Sequence, residues 1–330
     1  MGSRAAIFIR YQNGVLSAYF DRGAAQGMGV EPMLSGPEAV TAYYATDEPV
    51  NVNGFDGFPG FPQLDGGGLL VDVPNRVVIW CAEPDANVIP RVWNHLYEVM
   101  WPGWRAYWAA EGPVCITNYL GLPSRLVVLD DHPSPCLAIP ARSLLRDDGT
   151  GVPVTVQLTS NQVITVGFDG LFTDLAELPI GELIEYAESR YAPLSPGTGS
   201  QRFPANQEWG IVVNVEQEIA RWWSVFSEDD AFLYFRQNWP GWDVASMGDD
   251  YEAQVREAPH LFPLREPWDQ VLAEAHRLIN APWREGNSHR KAMATAELRR
   301  LTQRPELPPS AFIDRFGSVR RGETATEPPD

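Results

Sequence analysis

The chain carries the same rare tetrapeptide twice. Trp-Pro-Gly-Trp stands at 101–104 and again at 239–242, an offset of 138, and self-similarity of this kind restricts a chain to architectures in which one unit is built twice. Three further matches precede the tetrapeptides in the same order. Gly68-Leu69-Leu70-Val71-Asp72-Val73, running on to Trp80, corresponds to Gly210-Ile211-Val212-Val213-Asn214-Val215, running on to Trp222, at an offset of 142. Glu38-Ala39-Val40 corresponds to Glu182-Leu183-Ile184 at 144, and residues 13–21 correspond to 161–169 at 148. Four ordered matches whose offsets drift only from 148 to 138 predict a tandem duplication of about 140 residues, with small deletions in the second copy.

Period and punctuation predict two hairpin-plus-helix units in each copy. In the first copy, Asn13-Gly14 joins strand runs at 6–11 and 15–20, a strong hairpin signal, and a helix follows from Pro37. Pro74-Asn75 joins runs at 69–73 and 77–80, and Pro90 opens a helix whose Val92, Leu96 and Val99 share one face. The second copy repeats the plan, with strands at 154–158, 163–168, 211–215 and 219–225, a helix after Pro179, and a capping-box spacing at Ser227 and Asp230. Each Trp-Pro-Gly-Trp ends a helix, because Pro cannot continue it and Gly permits the reversal, and a strand is expected to follow at 105–108. The expected fold is α+β: each half an antiparallel sheet covered by helices, followed by C-terminal helices at 269–280 and 289–303. The expected division is a first repeat over 1–150, a second over 151–268, and a basic helical tail over 269–330 with a disordered end.

Charge separates the tail from the body. Residues 1–276 hold 15 Lys+Arg and 36 Asp+Glu, a net −21, and residues 277–330 hold 10 and 7, a net +3. A body so acidic repels phosphate backbones and anionic lipid, so nucleic acid is not expected as a partner except through the tail. An Arg-rich helix beside such a body also suits docking on this protein itself. Arg outnumbers Lys 24 to one, a bias that points to a GC-rich bacterial source. Cys81, Cys115 and Cys136 are an odd number with no close pair, which argues against a disulfide framework or a structural zinc and suits the cytoplasm. The N-terminal apolar run turns polar at Arg10, too soon for a secretory segment, and no stretch reaches the roughly 20 apolar residues of a bilayer span.

Several residues are candidates for chemistry or contact. Asp130, Asp131 and His132 follow a strand run at 126–129, where carboxylates beside an imidazole could hold a metal or relay a proton; Pro133 and Pro135 also suit an ordinary loop. Asp72 faces Asn214 across the duplication, so a carboxylate is kept in one copy only, as a functional group or a solvent-facing polar residue would be. The retained Asp21 and Asp169 end strands, where a structural role suffices. Phe55, Phe58 and Phe61 lie in a glycine-rich loop without a counterpart, where exposed rings are costly unless they cover a core or meet a partner. Strict alternation would turn one ring of Trp222-Trp223 inward and the other outward, making the outward ring an interface candidate. The motif tryptophans read as core anchors. No phosphate-binding or zinc-ligand spacing occurs, so no cofactor and no metal are expected.

The hairpin at the start, the Gly-rich hairpin and helix, and the Trp-Pro-Gly-Trp segment, over 1–45 and 66–108 with their counterparts, resemble uncharacterised bacterial proteins; the resemblance implies no activity. Together these readings lead to an expectation of a non-enzymatic acidic protein that binds a protein partner with a basic surface, such as a toxin-neutralising immunity protein or another conflict-system component. The alternatives are a hydrolase with an unfamiliar carboxylate site between the repeats, using Asp72, Asp130, Asp131 or His132, and a scaffold subunit.

Overall fold

A computed structural model of the chain describes residues 4–21, 24, 27–50, 67–82, 90–127, 141–146, 151–190, 207–225, 231–258, 267–281 and 288–321. The tight turn at Asn13-Gly14, with Gly14 at a φ of 82°, joins β1 (Ala5–Arg10) to β2 (Leu16–Asp21). Two short helices follow, α1 (Glu31–Ser35) and α2 (Pro37–Tyr44). The second hairpin is β3 (Gly67–Asp72) and β4 (Val77–Cys81), succeeded by α3 (Pro90–Met100), β5 (Arg105–Ala109) and α4 (Pro113–Tyr119). Beyond a two-residue strand, β6 (Leu145–Arg146), the order recurs: β7 (Val152–Thr159), β8 (Gln162–Phe168), α5 (Phe172–Glu177), α6 (Ile180–Arg190), β9 (Trp209–Asn214), β10 (Ile219–Ser224), α7 (Ala231–Asn238), β11 (Asp243–Ser246) and α8 (Tyr251–Glu257). The chain closes with α9 (Trp268–Ile279), α10 (Ser288–Leu301), β12 (Phe312–Ile313) and β13 (Val319–Arg320).

The duplication is written into the pairing. One sheet runs β2-β1-β3-β4-β5-β12-β13 and the other β6-β8-β7-β9-β10-β11, so five strands recur in the same order. Within each, the hairpins are antiparallel, as their turns require, and the joins β1/β3, β4/β5, β7/β9 and β10/β11 are parallel, so both sheets are mixed. Single hydrogen bonds repeat as well. The Val73 amide donates to the Arg10 carbonyl (3.0 Å) and Val215 to Gln157 (2.9 Å), while Arg105 donates to Arg76 and Asp243 to Glu218, both at 2.9 Å. Arg76 and Glu218 are the two non-glycine residues at positive φ among the described residues, 50° and 54°, at matching places in the two turns.

Register corrects one alignment. Arg10 lies opposite Leu16 and Asp72, and Gln157 lies opposite Val163 and Asn214. The first hairpins therefore match at an offset of 147, not 148, and Phe168 rather than Asp169 stands in the place of Asp21. A one-residue slip moves every side chain to the other face. Similar asparagines in the two turns favoured the wrong offset, and Asp21 and Asp169 are not a retained pair.

The chain divides into two compact units. The first comprises Met1–Asp130, Val225–Asp229 and Trp268–Asp330, the second Asp131–Ser224 and Asp230–Pro267. In the first unit the sheet is buried on both faces: Ile7, Ile9, Leu69, Val78 and Trp80 join one core with residues of α1, α2, α3, α9 and α10, and Phe8, Leu70 and Ile79 join another with Val114 and Ile116 of α4. The tail is thus structural. Val271, Leu272, Ala275, Leu298 and Leu301 enter the core, and β12 extends the sheet in parallel along β5. Two of its ionic contacts with the body reverse the sign expected from net charge, since the tail supplies Glu306 to Arg91 (3.0 Å) and Glu297 to His95 (2.6 Å). Among the described residues no helix is long and apolar enough to cross a membrane.

Candidate functional site

Asp72 ends β3 and is buried. Its Oδ2 accepts from Arg10 (2.7 Å) and from the Asn75 side-chain amide (3.0 Å), and its Oδ1 accepts the Asn75 backbone amide (3.2 Å). Asn214 does the same work without charge: its Oδ1 accepts the Gln217 amide (3.0 Å), and its Nδ2 donates to Gln157 (2.9 Å). Arg10 and Gln157 occupy matching register positions, so the two repeats hold one turn and one strand pair with a charged couple and a neutral one. The difference at Asp72 is explained by its partner, and the residue is buried rather than solvent-facing.

Trp222 and Trp223 alternate across β10, but both rings are buried, at 1% and 0% exposure. The expectation of an outward ring is corrected because helices cover both faces. Trp222 stacks on Phe235 of α7 (5.6 Å between centroids), and Trp223 lies edge-on to Tyr251 of α8 (6.1 Å). The Trp223 indole donates to Gln254 (2.6 Å), whose own amide reaches the Pro153 carbonyl (2.9 Å), the Thr155 hydroxyl (3.0 Å) and the Ile211 carbonyl (3.1 Å). Asp130, Asp131, His132, Phe55, Phe58, Phe61 and the Ser227–Asp230 spacing lie outside the described residues. Leu126 ends a 3₁₀ turn at Ser124–Leu126 rather than opening a strand.

The motif tryptophans anchor the core in both repeats. Trp101 donates to the Met33 carbonyl (3.0 Å) and Trp239 to the Leu178 carbonyl (2.7 Å), tying the reversal to the first short helix of its repeat. Their partners Trp104 and Trp242 meet them edge-on at 5.1 and 5.9 Å.

Two features that sequence reasoning missed carry more functional promise. The first is the outer edge of α2. Tyr43 is 62% exposed and rests edge-on against Tyr44, whose hydroxyl donates to Asp21 (3.1 Å) and whose ring packs on Tyr19. Glu38 on the same helix and Asp47 and Glu48 just beyond it are exposed and form no ion pair among the described residues. The corresponding helix α6 presents Glu185 and Glu188, though Arg142 approaches Glu185 at 3.6 Å. Thus an exposed aromatic ring and three exposed carboxylates share the segment 38–48. The exposed run Glu38, Ala39, Ala42, Tyr43 was the available signal.

The second feature is a pair of buried carboxyls after the last strand of each repeat. Glu111 follows β5, and burial pushes it up to about 7 against the pull of Arg315. One of its oxygens has no hydrogen-bond partner. In the second repeat Asp250 caps α8 by accepting the Ala253 amide (3.0 Å), and burial raises it to about 6. Among the described residues no group of three His, Cys, Asp or Glu could hold a metal ion. Comparison with known proteins finds no family model, no curated protein and no solved structure that matches the chain.

Proposed function

We propose that the protein binds another protein through an acidic face, with the outer edge of α2 as the contact and Tyr43 as its anchor. The observation that carries this reading is an exposed ring packed edge-on against Tyr44, on a segment whose Glu38, Asp47 and Glu48 are also exposed. A ring already packed on a neighbour loses little freedom on binding, and exposed Tyr in such a setting is a favoured hot spot. The carboxylates speed encounter with a positively charged partner and make association sensitive to salt. A toxin with a basic active site, neutralised by this protein as an immunity or conflict-system component, fits those requirements. The hydrolase reading has less to draw on, because Asp72 is committed to Arg10 and Asn75.

The test is affinity capture from native bacterial lysate over a salt series, run in parallel with Tyr43→Ala and with E38K/D47K/E48K. A protein retained at low salt by the parent chain, and lost with either variant, supports the reading. Equal retention by all three, or a bound metabolite with no protein, overturns it.

A further inference from the structure

We propose that the C-terminal segment 307–320 is a latch on the first sheet, closed while Glu111 carries a proton and opened when Glu111 ionises.

The latch is a thin attachment. Its strand β12 is two residues long and meets β5 through Trp108 donating to the Ala311 carbonyl (3.2 Å) and Ala110 to the Ile313 carbonyl (3.4 Å). Side chains of the body add grips on its backbone: Arg91 donates to the Leu307 carbonyl (3.0 Å), Asn94 to Ala311 (2.8 Å), and Asn118 to the Arg315 carbonyl. Asp314 folds the far end into a turn, accepting the Phe316 amide (3.0 Å), the Ser318 amide (2.8 Å) and the Arg320 guanidinium (2.7 Å). Gly317 presses so closely on the backbone of Asn118 that an added Cβ would lie 2.5 Å from its carbonyl carbon.

Glu111 sits beneath that turn. Its Oε1 accepts the Arg315 backbone amide (3.3 Å), and its Oε2 is buried with no donor in reach. A carboxylate has four acceptor sites to satisfy and a carboxylic acid fewer, so the neutral form suits the closed site and the charged form does not. The charges that act on Glu111 belong to the latch itself: Arg315 favours ionisation and Asp314 opposes it, with Arg320 engaged by Asp314. In the chain Glu111 lies between β5 and α4, which are integral to the sheet and its cover. Only the latch can give way to admit water. Burial raises Glu111 to about 7, so the exchange falls in the neutral range. The native state binds the extra proton, and the closing free energy declines as pH rises from the ordinary carboxylate range to that value, then levels.

Hydrogen-exchange protection factors of the Trp108, Ala110 and Ile313 amides, measured on the full chain at pH 5 and pH 8, test this. The expected result is a fall of about ten- to a hundredfold in the parent chain, and no fall in Glu111→Gln, which stays neutral and keeps an oxygen for the Arg315 amide. Constant protection in the parent, or the same fall in the variant, overturns the proposal. Should Glu111→Gln fail to fold, Arg315→Gln serves instead: it removes the cation that favours ionisation in the closed site, so the loss of protection must continue to higher pH and be larger at pH 8 than in the parent chain, and an unchanged or smaller fall is equally fatal.

Discussion

Replacing Arg10 with Gln strands the buried Asp72 carboxylate beside a neutral partner, whereas replacing both Arg10 and Asp72 recreates the couple that the second repeat already uses, Gln157 with Asn214. Breaking a fully buried pair costs about 3–5 kcal/mol. Arg10 keeps 27% of its exposure, so Arg10→Gln alone is expected to cost about 2–3 kcal/mol. The double variant R10Q/D72N is expected to regain most of that loss, which a urea-denaturation double-mutant cycle reads as coupling; additive losses would contradict it. Gln254 offers a second case. Gln254→Ile, which installs the residue that Ile116 supplies at the matching place in the first repeat, where it faces Gly68 as Gln254 faces Gly210, takes away the acceptor of the buried Trp223 indole and the amide donor to the Pro153 and Ile211 carbonyls and the Thr155 hydroxyl, and is expected to lower stability by about 3 kcal/mol in the same assay. The Asp72-to-Asn214 difference was visible in the sequence, but its cause was not, because the partners stand 62 and 57 residues away. Local pattern reveals a changed residue. It does not reveal which distant residue changed with it.

Hairpins and long helices were legible because their periods and turn residues are local. The motif reversal is the clearest example: Gly103 and Gly241 take φ values of 81° and 87° immediately after the proline that ends each helix. Around Gly241 a Cβ would meet nothing within 4 Å, so Gly241→Ala isolates the backbone cost and is expected to lose about 1 kcal/mol, measured as a lowered unfolding midpoint. The short helices α1, α4, α5 and α8 escaped notice, since five to seven residues give too little periodicity to recognise. Missing α8 led directly to the misplaced outward tryptophan. A signal was present, however: β4 is apolar at every position, Val77 to Cys81, and all five residues are buried. Such continuous runs mark a sheet covered on both sides, and Trp222-Trp223 breaks alternation for the same reason. The strands β12 and β13 carry two residues each, and only the pairing of β12 with β5 and of β13 with β12 defines them.

For the molecule as a whole, the titration of its buried acids predicts a stability maximum on the acid side of neutrality. Glu111 and Asp250 are raised to about 7 and about 6, so the native state holds their protons longer than the unfolded chain does, and unfolding free energy falls as pH climbs through that range. Self-repulsion of a chain with net charge −18 acts in the same direction. Glu297 works oppositely: Arg300 and His95 hold it down to about 2, so its contribution is complete above the normal glutamate range and disappears as pH drops toward 2. Urea midpoints recorded from pH 3 to pH 9 are therefore expected to peak near pH 4–5. The duplicated body was legible in the sequence; the structural role of the tail was not, because its net charge suggested electrostatic docking while its apolar residues complete a core. Ending the chain at Pro267 is expected to abolish exchange protection in β1 and β3–β5 while β7, β9 and β10 keep theirs. The order of synthesis gives this a biological edge. The first repeat leaves the ribosome first yet is finished last, after the entire second repeat has emerged. A nascent or prematurely terminated chain then carries one completed unit beside another whose tryptophan-lined interior is still open, and that interval is when chaperones and proteases meet it.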